Sequence, residues 1–162
     1  MTNFIATFLY IGHLRPAPGT WGSLAALPSA ALIFAVAGPY AMIFAIIAFY
    51  VVGHWVTKLE TAGSADHDPS EIVIDEVVGQ WIALLPVLFG AMVMNVPLLA
   101  LWPGWIAAFG LFRLFDILKP GPVGWADKRG DATGVMLDDV VAGIMAGIGV
   151  ILLGGLYHVV LL

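Results

Sequence analysis

The charged residues of this chain fall into three clusters, and the uncharged intervals between them constrain the fold more than any other feature. No Asp, Glu, Lys or Arg occurs in residues 16–57, 77–112 or 140–162. The clusters between them are Arg15 alone, residues 58–76 and residues 113–139. A soluble amphipathic helix needs a polar outer face, whereas a membrane span needs about 20 mainly apolar residues. The pattern therefore predicts an integral membrane protein.

The composition agrees with that prediction. Hydrophobic residues make up 61% of the chain and charged residues 10%, against about 45–50% and about 25% in globular domains. A soluble all-α protein with buried helices is the alternative interpretation. The absence of Cys excludes a disulfide scaffold, a thiolate zinc site and a cysteine nucleophile. A net charge of −5 without a basic run argues against a nucleic-acid partner.

Gly and Pro residues divide the uncharged intervals into spans. Gly38-Pro39 splits the first interval into a helical hairpin, and the stretch from Asn95 to Gly104 splits the second. The predicted fold is all-α, one domain over residues 1–162 and a polytopic bundle of about five short spans. The spans are residues 22–37, 40–57, 77–94, 105–118 and 140–160. Residues 1–14 lack the basic start of a signal peptide and are too short to cross, which predicts an interfacial or re-entrant segment.

This arrangement also predicts a topology. Each hairpin returns the chain to its starting side, so all three charged clusters lie on one face. Positive residues mark the cytoplasmic side of a membrane protein. We therefore expect the charged clusters in the cytoplasm and the C-terminus outside.

Two similar segments carry carboxylate pairs at the predicted starts of the third and fifth spans. They are Ile74-Asp75-Glu76-Val77-Val78-Gly79 and Leu137-Asp138-Asp139-Val140-Val141-Ala142-Gly143. Acids at a helix start can simply complement the helix dipole. Four acids at the edge of the hydrocarbon exceed that need, and carboxylate oxygens suit Mg²⁺. Both members of a pair need not touch one ion, and Asp68 either adds a ligand or begins a turn before Pro69.

Three further charged residues lie near the end of the fourth span. Arg113, Asp116 and Lys119 are spaced to share one side of a helix that Pro120 and Gly121 end. Snorkelling to the headgroups would explain Lys119 alone. Arg113 lies more than a turn deeper beside Asp116, which favours an inward-facing phosphate-binding cation.

Small residues precede the first span in the segment Pro18-Gly19-Thr20-Trp21-Gly22-Ser23. A helix start of this kind leaves backbone amides free for an anion, with Thr20 and Ser23 adding hydroxyls. An ordinary capped helix start with an interfacial Trp explains the segment equally well.

Taken together, four motifs resemble the phosphatidylglycerophosphatase A family. They are the Pro18–Ser23 segment, residues 68–79 (DPSEIVIDEVVG), residues 112–120 (FRLFDILKP) and residues 134–143 (GVMLDDVVAG). They occur in the family's order, and together they extend over most of the chain. The resemblance implies a Mg²⁺-dependent enzyme of the bacterial inner membrane. Such an enzyme hydrolyses phosphatidylglycerophosphate to phosphatidylglycerol and inorganic phosphate in phospholipid biosynthesis.

On this hypothesis the acidic residues act in metal binding and catalysis, and the polar N-terminal and basic residues bind substrate. Metal ligands are Asp68, Asp75, Glu76, Asp138 and Asp139, and Asp116 either orients a cation or joins the metal shell. Substrate is held by Thr20, Ser23, Arg113 and Lys119. Direct water attack and a phospho-enzyme both stay open, as do the number of metal ions, the acyl-chain preference and the oligomeric state. A non-catalytic ion-binding protein or small transporter is the rival from another class.

Overall fold

The structure, a computed structural model, describes residues 1–63 and 69–161, apart from the side chains of residues 160 and 161. Helices and their connections make up these two ranges, which contain no strand, so the predicted all-α class is confirmed. The helices are α1 (Thr2–Ala6), α2 (Pro18–Glu60), α3 (Ile74–Met94), α4 (Trp102–Leu118), α5 (Pro122–Asp127) and α6 (Ala132–Leu161). Short 3-10 helices occupy Ile11–His13 and Leu98–Leu101.

Helix α2 is a hairpin of two arms, residues 18–37 and 39–60. The Trp81 indole donates a hydrogen bond to the carbonyl of Ala26, 3.0 Å away, and its ring lies 4.8 Å from that of Phe49. Residues 26 and 49 would be about 35 Å apart in a straight helix. The chain reverses at Gly38, whose φ of 77° lies in the left-handed region that favours glycine. The predicted hairpin at Gly38-Pro39 is therefore present.

Four stretches are long and apolar enough to cross a membrane, namely α2, α3, residues Leu98–Leu118 and residues Ala132–Val159. Since α2 folds back on itself, these stretches provide about five crossings. Their outer faces carry exposed apolar side chains, among them Val36 (78% exposed) and Phe44 (76%). A soluble monomer rarely exposes so many apolar side chains. The chain is a membrane protein, and the soluble alternative is wrong.

Helix α3 is the central helix of the bundle. Twelve of its residues are buried, and it packs against both arms of α2 and against α6. Its large buried side chains Trp81, Leu84 and Leu88 belong to the same core cluster as Phe112 of α4. The carboxylates at its first turn are thereby held among packed helices.

The N-terminal segment docks beside the start of α3. The Ala6 carbonyl accepts a hydrogen bond of 2.9 Å from the Val73 amide, and the Phe8 ring lies 6.4 Å from the Trp81 ring. A five-residue α1 is about 8 Å long and cannot cross a bilayer. The segment is therefore too short to cross, as predicted, and packs on the bundle near the carboxylates.

Helix α6 begins at Ala132, eight residues before the predicted span. Asp131 precedes it, and Asp131 Oδ1 accepts a hydrogen bond of 2.7 Å from the Gly134 amide, as N-cap residues do. That bond, together with Arg129, lowers the pKa of Asp131. Asp138 and Asp139 therefore lie almost two turns inside α6, and the prediction that they begin a helix is wrong. Because the helix-dipole effect fades within the first turn, it does not explain this pair.

Candidate active site

The two carboxylate pairs meet because α3 and α6 cross at glycines. A Cβ atom on Gly79 would lie 2.6 Å from the backbone oxygen of Asp139, and one on Gly143 would collide with the backbone oxygen of Gly79. Gly79 follows Asp75 by four residues, and Gly143 follows Asp139 by four. Residues four apart lie on one face of a helix. The close crossing therefore brings Asp75 and Asp139 together one turn away.

Asp75, Glu76 and Asp139 form a carboxylate cluster. Each offers one oxygen that lies within 4.8 Å of the other two. Asp75 and Asp139 are almost completely buried, and Asp75 Oδ1 accepts a hydrogen bond from the Glu76 amide. Glu76 Oε2 and Asp139 Oδ1 are buried with no hydrogen-bond partner among the described residues.

This cluster suits a divalent cation. Buried carboxylates at such distances repel one another and cost several kcal/mol unless a positive charge compensates them. Their oxygens are the hard ligands that Mg²⁺ prefers, and two of them lack another partner. Asp75, Glu76 and Asp139 are therefore the described residues that could hold a metal ion.

Asp138 lies against Lys119 rather than in the carboxylate cluster. Its Oδ2 is 2.8 Å from Lys119 Nζ, and Asp127 forms a second ion pair with the same amine. Burial lowers the pKa of Lys119, but the two carboxylates outweigh it and raise the pKa above its ordinary value. Lys119 is thus a fixed cation, 30% exposed, at the rim of the site, and not a free snorkelling side chain.

Arg113 points into the bundle. It forms an ion pair with Asp116, and the two side chains are only 15% and 14% exposed. Its Nη1 donates a hydrogen bond to Ser23 Oγ at 3.4 Å, while its Nε is buried without a partner among the described residues. The predicted pairing of Arg113 with Asp116 is therefore present in the structure.

The start of α2 closes the site on another side. A Cβ on Gly19 would collide with Glu76 Oε1 and would lie 3.2 Å from Arg113 Nη1. Ser23 is buried one turn further, and its hydroxyl donates to the Gly19 carbonyl at 2.8 Å. Thr20 is half-buried in the first turn of α2, next to Gly19. Asp68, the remaining predicted ligand, lies outside the described residues.

Sequence reasoning missed Gln80. This residue is completely buried, and neither its side-chain oxygen nor its nitrogen has a hydrogen-bond partner among the described residues. The available signal was its position, four residues after Glu76 within an uncharged interval. Asp127, which pairs with Lys119 from the short helix α5, was also missed.

Comparisons with known proteins agree with the four sequence motifs. The family model described as Phosphatidylglycerophosphatase A matches residues 4–154. A Haemophilus influenzae protein named phosphatidylglycerophosphatase A is 37% identical over 136 residues, which cover 83% of this chain and 77% of that protein. The protein of the same name from Escherichia coli is 35% identical over 132 residues, covering 80% and 69%.

A third relative carries a different name. A Bacteroides thetaiotaomicron protein, provisionally named a phosphatidylinositol-3-phosphatase, is 39% identical over 140 residues, covering 79% of this chain and 77% of that protein. No solved structure matches the chain.

Proposed function

This chain belongs to the phosphatidylglycerophosphatase A family, and on that premise we propose that it converts phosphatidylglycerophosphate to phosphatidylglycerol and inorganic phosphate. The reaction class follows from the family, so the chain is a membrane-embedded phosphoric monoester hydrolase. The rival interpretation as a non-catalytic ion-binding protein or small transporter is set aside for the same reason. The proposed setting is phospholipid biosynthesis in the bacterial inner membrane.

The observation that supports this function most strongly is the carboxylate cluster beside Arg113. Asp75, Glu76 and Asp139 are proposed to hold Mg²⁺, with Asp68 as a further ligand. Mg²⁺ bound there would polarise a phosphoryl oxygen and lower the pKa of a bound water. Asp138 is proposed to complete the metal shell or to fix Lys119, which it contacts at 2.8 Å.

The cations are proposed to neutralise the transferred phosphoryl group. Arg113 can offer two N–H donors to two phosphoryl oxygens, and Asp116 fixes the orientation of the guanidinium. Charge on those oxygens changes in the transition state, and donors fixed in advance stabilise it without reorganisation. Lys119 lies at the exposed rim, and Ser23 and Thr20 lie on the α2 side. These positions suit contacts with the phosphate and the glycerol linkage.

The position of the site along the bundle suits a lipid substrate. The carboxylate cluster lies at the end where α2 and α3 begin, and Lys119 forms an ion pair there with Asp138, the neighbour of Asp139 in the chain. The other end and the outer faces of the spans carry exposed apolar side chains. We propose that this end faces the cytoplasm, that the headgroup enters it, and that the acyl chains stay in the bilayer.

Release of inorganic phosphate by the purified protein in mixed micelles tests this function. Phosphatidylglycerophosphate should be hydrolysed at least tenfold faster than phosphatidylinositol 3-phosphate or phosphatidate at equal surface concentration. Preferential hydrolysis of the inositol lipid would indicate that this chain acts on the lipid for which the Bacteroides relative is named. Absence of phosphate release from all three lipids, with Mg²⁺ present and the protein folded, would contradict the proposed function.

A further inference from the structure

Gln80 is a buried polar residue beside the site for which the proposed metal and phosphate contacts give no role. Its side chain is fully buried in α3, and both its oxygen and its nitrogen lack a partner among the described residues. Leaving a buried amide unsatisfied destabilises a protein, and in a native structure such a group usually serves a bound water, ion or ligand.

The packing of α3 on α2 places Gln80 beside the site. The first arm of α2 runs in the same direction as α3. Gly22 contacts Val73, and further along both segments Ala26 accepts a hydrogen bond from Trp81. At the start of the two helices Gly19 touches Glu76. One turn further along each helix lie Ser23 and Gln80, since residues four apart share a face. Gln80 therefore lies one turn deeper than Glu76, on the side of α3 that faces Ser23.

Three residues around the site carry buried polar groups without a partner among the described residues. Besides the Gln80 carboxamide these groups are Glu76 Oε2, an acceptor, and Arg113 Nε, a donor. Glu76 and Gln80 project from adjacent turns, about 5–6 Å apart at their Cβ atoms. One small molecule with both donors and acceptors can bridge that distance, and water is such a molecule.

The open side of the site lies on the other side of the carboxylates. Lys119 and Asp127 are 30% and 42% exposed, whereas Gln80 is completely buried. The lipid headgroup enters the site from the open side, so its leaving alcohol oxygen lies on that side while the acyl chains stay in the bilayer. Phosphoryl transfer places the attacking and leaving oxygens roughly in line, so the attacking oxygen comes from the buried side.

We propose that Gln80 is a catalytic residue that holds the attacking water, accepting one water proton in a hydrogen bond and donating its N–H to a phosphoryl oxygen. This inference rests on the proposed function. The water oxygen forms a bond to phosphorus as the bond from phosphorus to the glycerol oxygen breaks. One water proton passes to a phosphoryl oxygen, and the leaving oxygen takes a proton from solvent at the open side. Water and the phosphate monoester thus give the alcohol and inorganic phosphate.

The substitution Gln80→Leu tests this role, because leucine has a similar volume and no polar atom. We expect kcat for phosphatidylglycerophosphate to fall about 100-fold, as for a misplaced nucleophile. KM and the Ki of inorganic phosphate should rise by less than about tenfold, because Gln80 supplies only one of the proposed phosphate contacts and one hydrogen bond contributes about 0.5–1.5 kcal/mol. The melting temperature should stay equal or rise, because an unsatisfied polar group has been removed.

Thr57→Val is the matched control. The Thr57 hydroxyl is also fully buried without a partner among the described residues, but it lies in the second arm of α2. This variant should keep kcat within threefold and show a similar change in melting temperature. If Gln80→Leu does not fold, Gln80→Met replaces it, since methionine is unbranched and of nearly equal length.

Three results would overturn the inference. The first is a kcat of Gln80→Leu within threefold of the parent value. The second is a rise in KM or Ki of Gln80→Leu with kcat unchanged. The third is a fall in kcat together with a lower melting temperature in both Gln80→Leu and Thr57→Val. The last result would make Gln80 structural. Failure of the parent protein to release phosphate is a separate outcome, which contradicts the proposed function itself.

Discussion

Asp139 combines the two properties that favour a metal site at this end of the bundle. Its side chain is almost completely buried, and its Oδ1 has no partner among the described residues. Its carboxylate lies within reach of those of Asp75 and Glu76. An uncompensated arrangement of this kind lowers stability, so a cation that binds it should stabilise the fold.

We expect Mg²⁺ to raise the melting temperature of the parent protein and to have little effect on Asp139→Asn. A ligand at 100 times its dissociation constant stabilises the native state by about 2.7 kcal/mol. Asparagine keeps the shape of the side chain but weakens the site, and in metal-free buffer it relieves repulsion. The variant should therefore be at least as stable as the parent in EDTA. An equal Mg²⁺-induced shift in both proteins, measured by differential scanning fluorimetry, would remove Asp139 from the metal site.

Arg113→Lys separates a phosphate-binding role from a purely structural one. Lysine keeps the charge but loses the planar fork that binds two oxygens. Losing one such contact in the transition state should cost about 2–4 kcal/mol, which lowers kcat/KM by about 30- to 1,000-fold. Arg129→Lys is the control, because Arg129 forms an exposed ion pair with Asp131. Normal turnover per folded molecule of Arg113→Lys, with lower thermal stability, would show that Arg113 serves only the fold.

At the scale of helices, the crossing of α3 and α6 determines the distance between the carboxylates. Gly79 and Gly143 allow the two backbones to touch, and each lies one turn from an acid of the cluster. Any side chain at this crossing must push the helices apart. The separation of Asp75 and Asp139 would change with them.

Gly143→Ala should therefore lower both stability and activity. Forcing a methyl group into a packed contact costs about 1–3 kcal/mol, and a displacement of about 1 Å at a reacting group can cost about 100-fold in rate. Gly154→Ala, in the same helix, is the control, since a Cβ there meets no atom within 4 Å. Thermal denaturation and phosphate release should separate the two variants. Equal activity in both would show that the crossing does not determine the geometry of the site.

The sequence predicted the spans better than the helix ends. Uncharged intervals are a local property and mark the spans directly, whereas α6 starts where Asp131 caps the backbone. Hydropathy carries no information about that hydrogen bond. The paired acids and Arg113 could be identified from spacing, but the contact of Asp138 with Lys119 depends on how the end of α4 packs against α6. The proposed role of Gln80 likewise could not be predicted from the sequence, because it depends on the burial of the side chain and on its lack of partners among the described residues.

The charged residues that the structure describes lie at one end of the molecule, which should face the cytoplasm. The chain has no native cysteine, so single-cysteine variants report position cleanly. Ala62→Cys, between α2 and α3, should be protected from an impermeant maleimide in intact cells and labelled after lysis. Leu99→Cys, at the opposite end and 75% exposed, should be labelled in intact cells. The reverse pattern would place the site on the outer face.

The central claim is that the carboxylate cluster forms a Mg²⁺-dependent phosphatase site. Its most direct test is a Mg²⁺ titration of phosphate release from phosphatidylglycerophosphate by the EDTA-treated parent and by Asp139→Asn. We expect no turnover of the parent without metal, recovery that saturates with Mg²⁺, and less than about one hundredth of that rate in the variant at any Mg²⁺ concentration. Full activity of the parent in EDTA, or a variant within threefold of the parent, would contradict the claim.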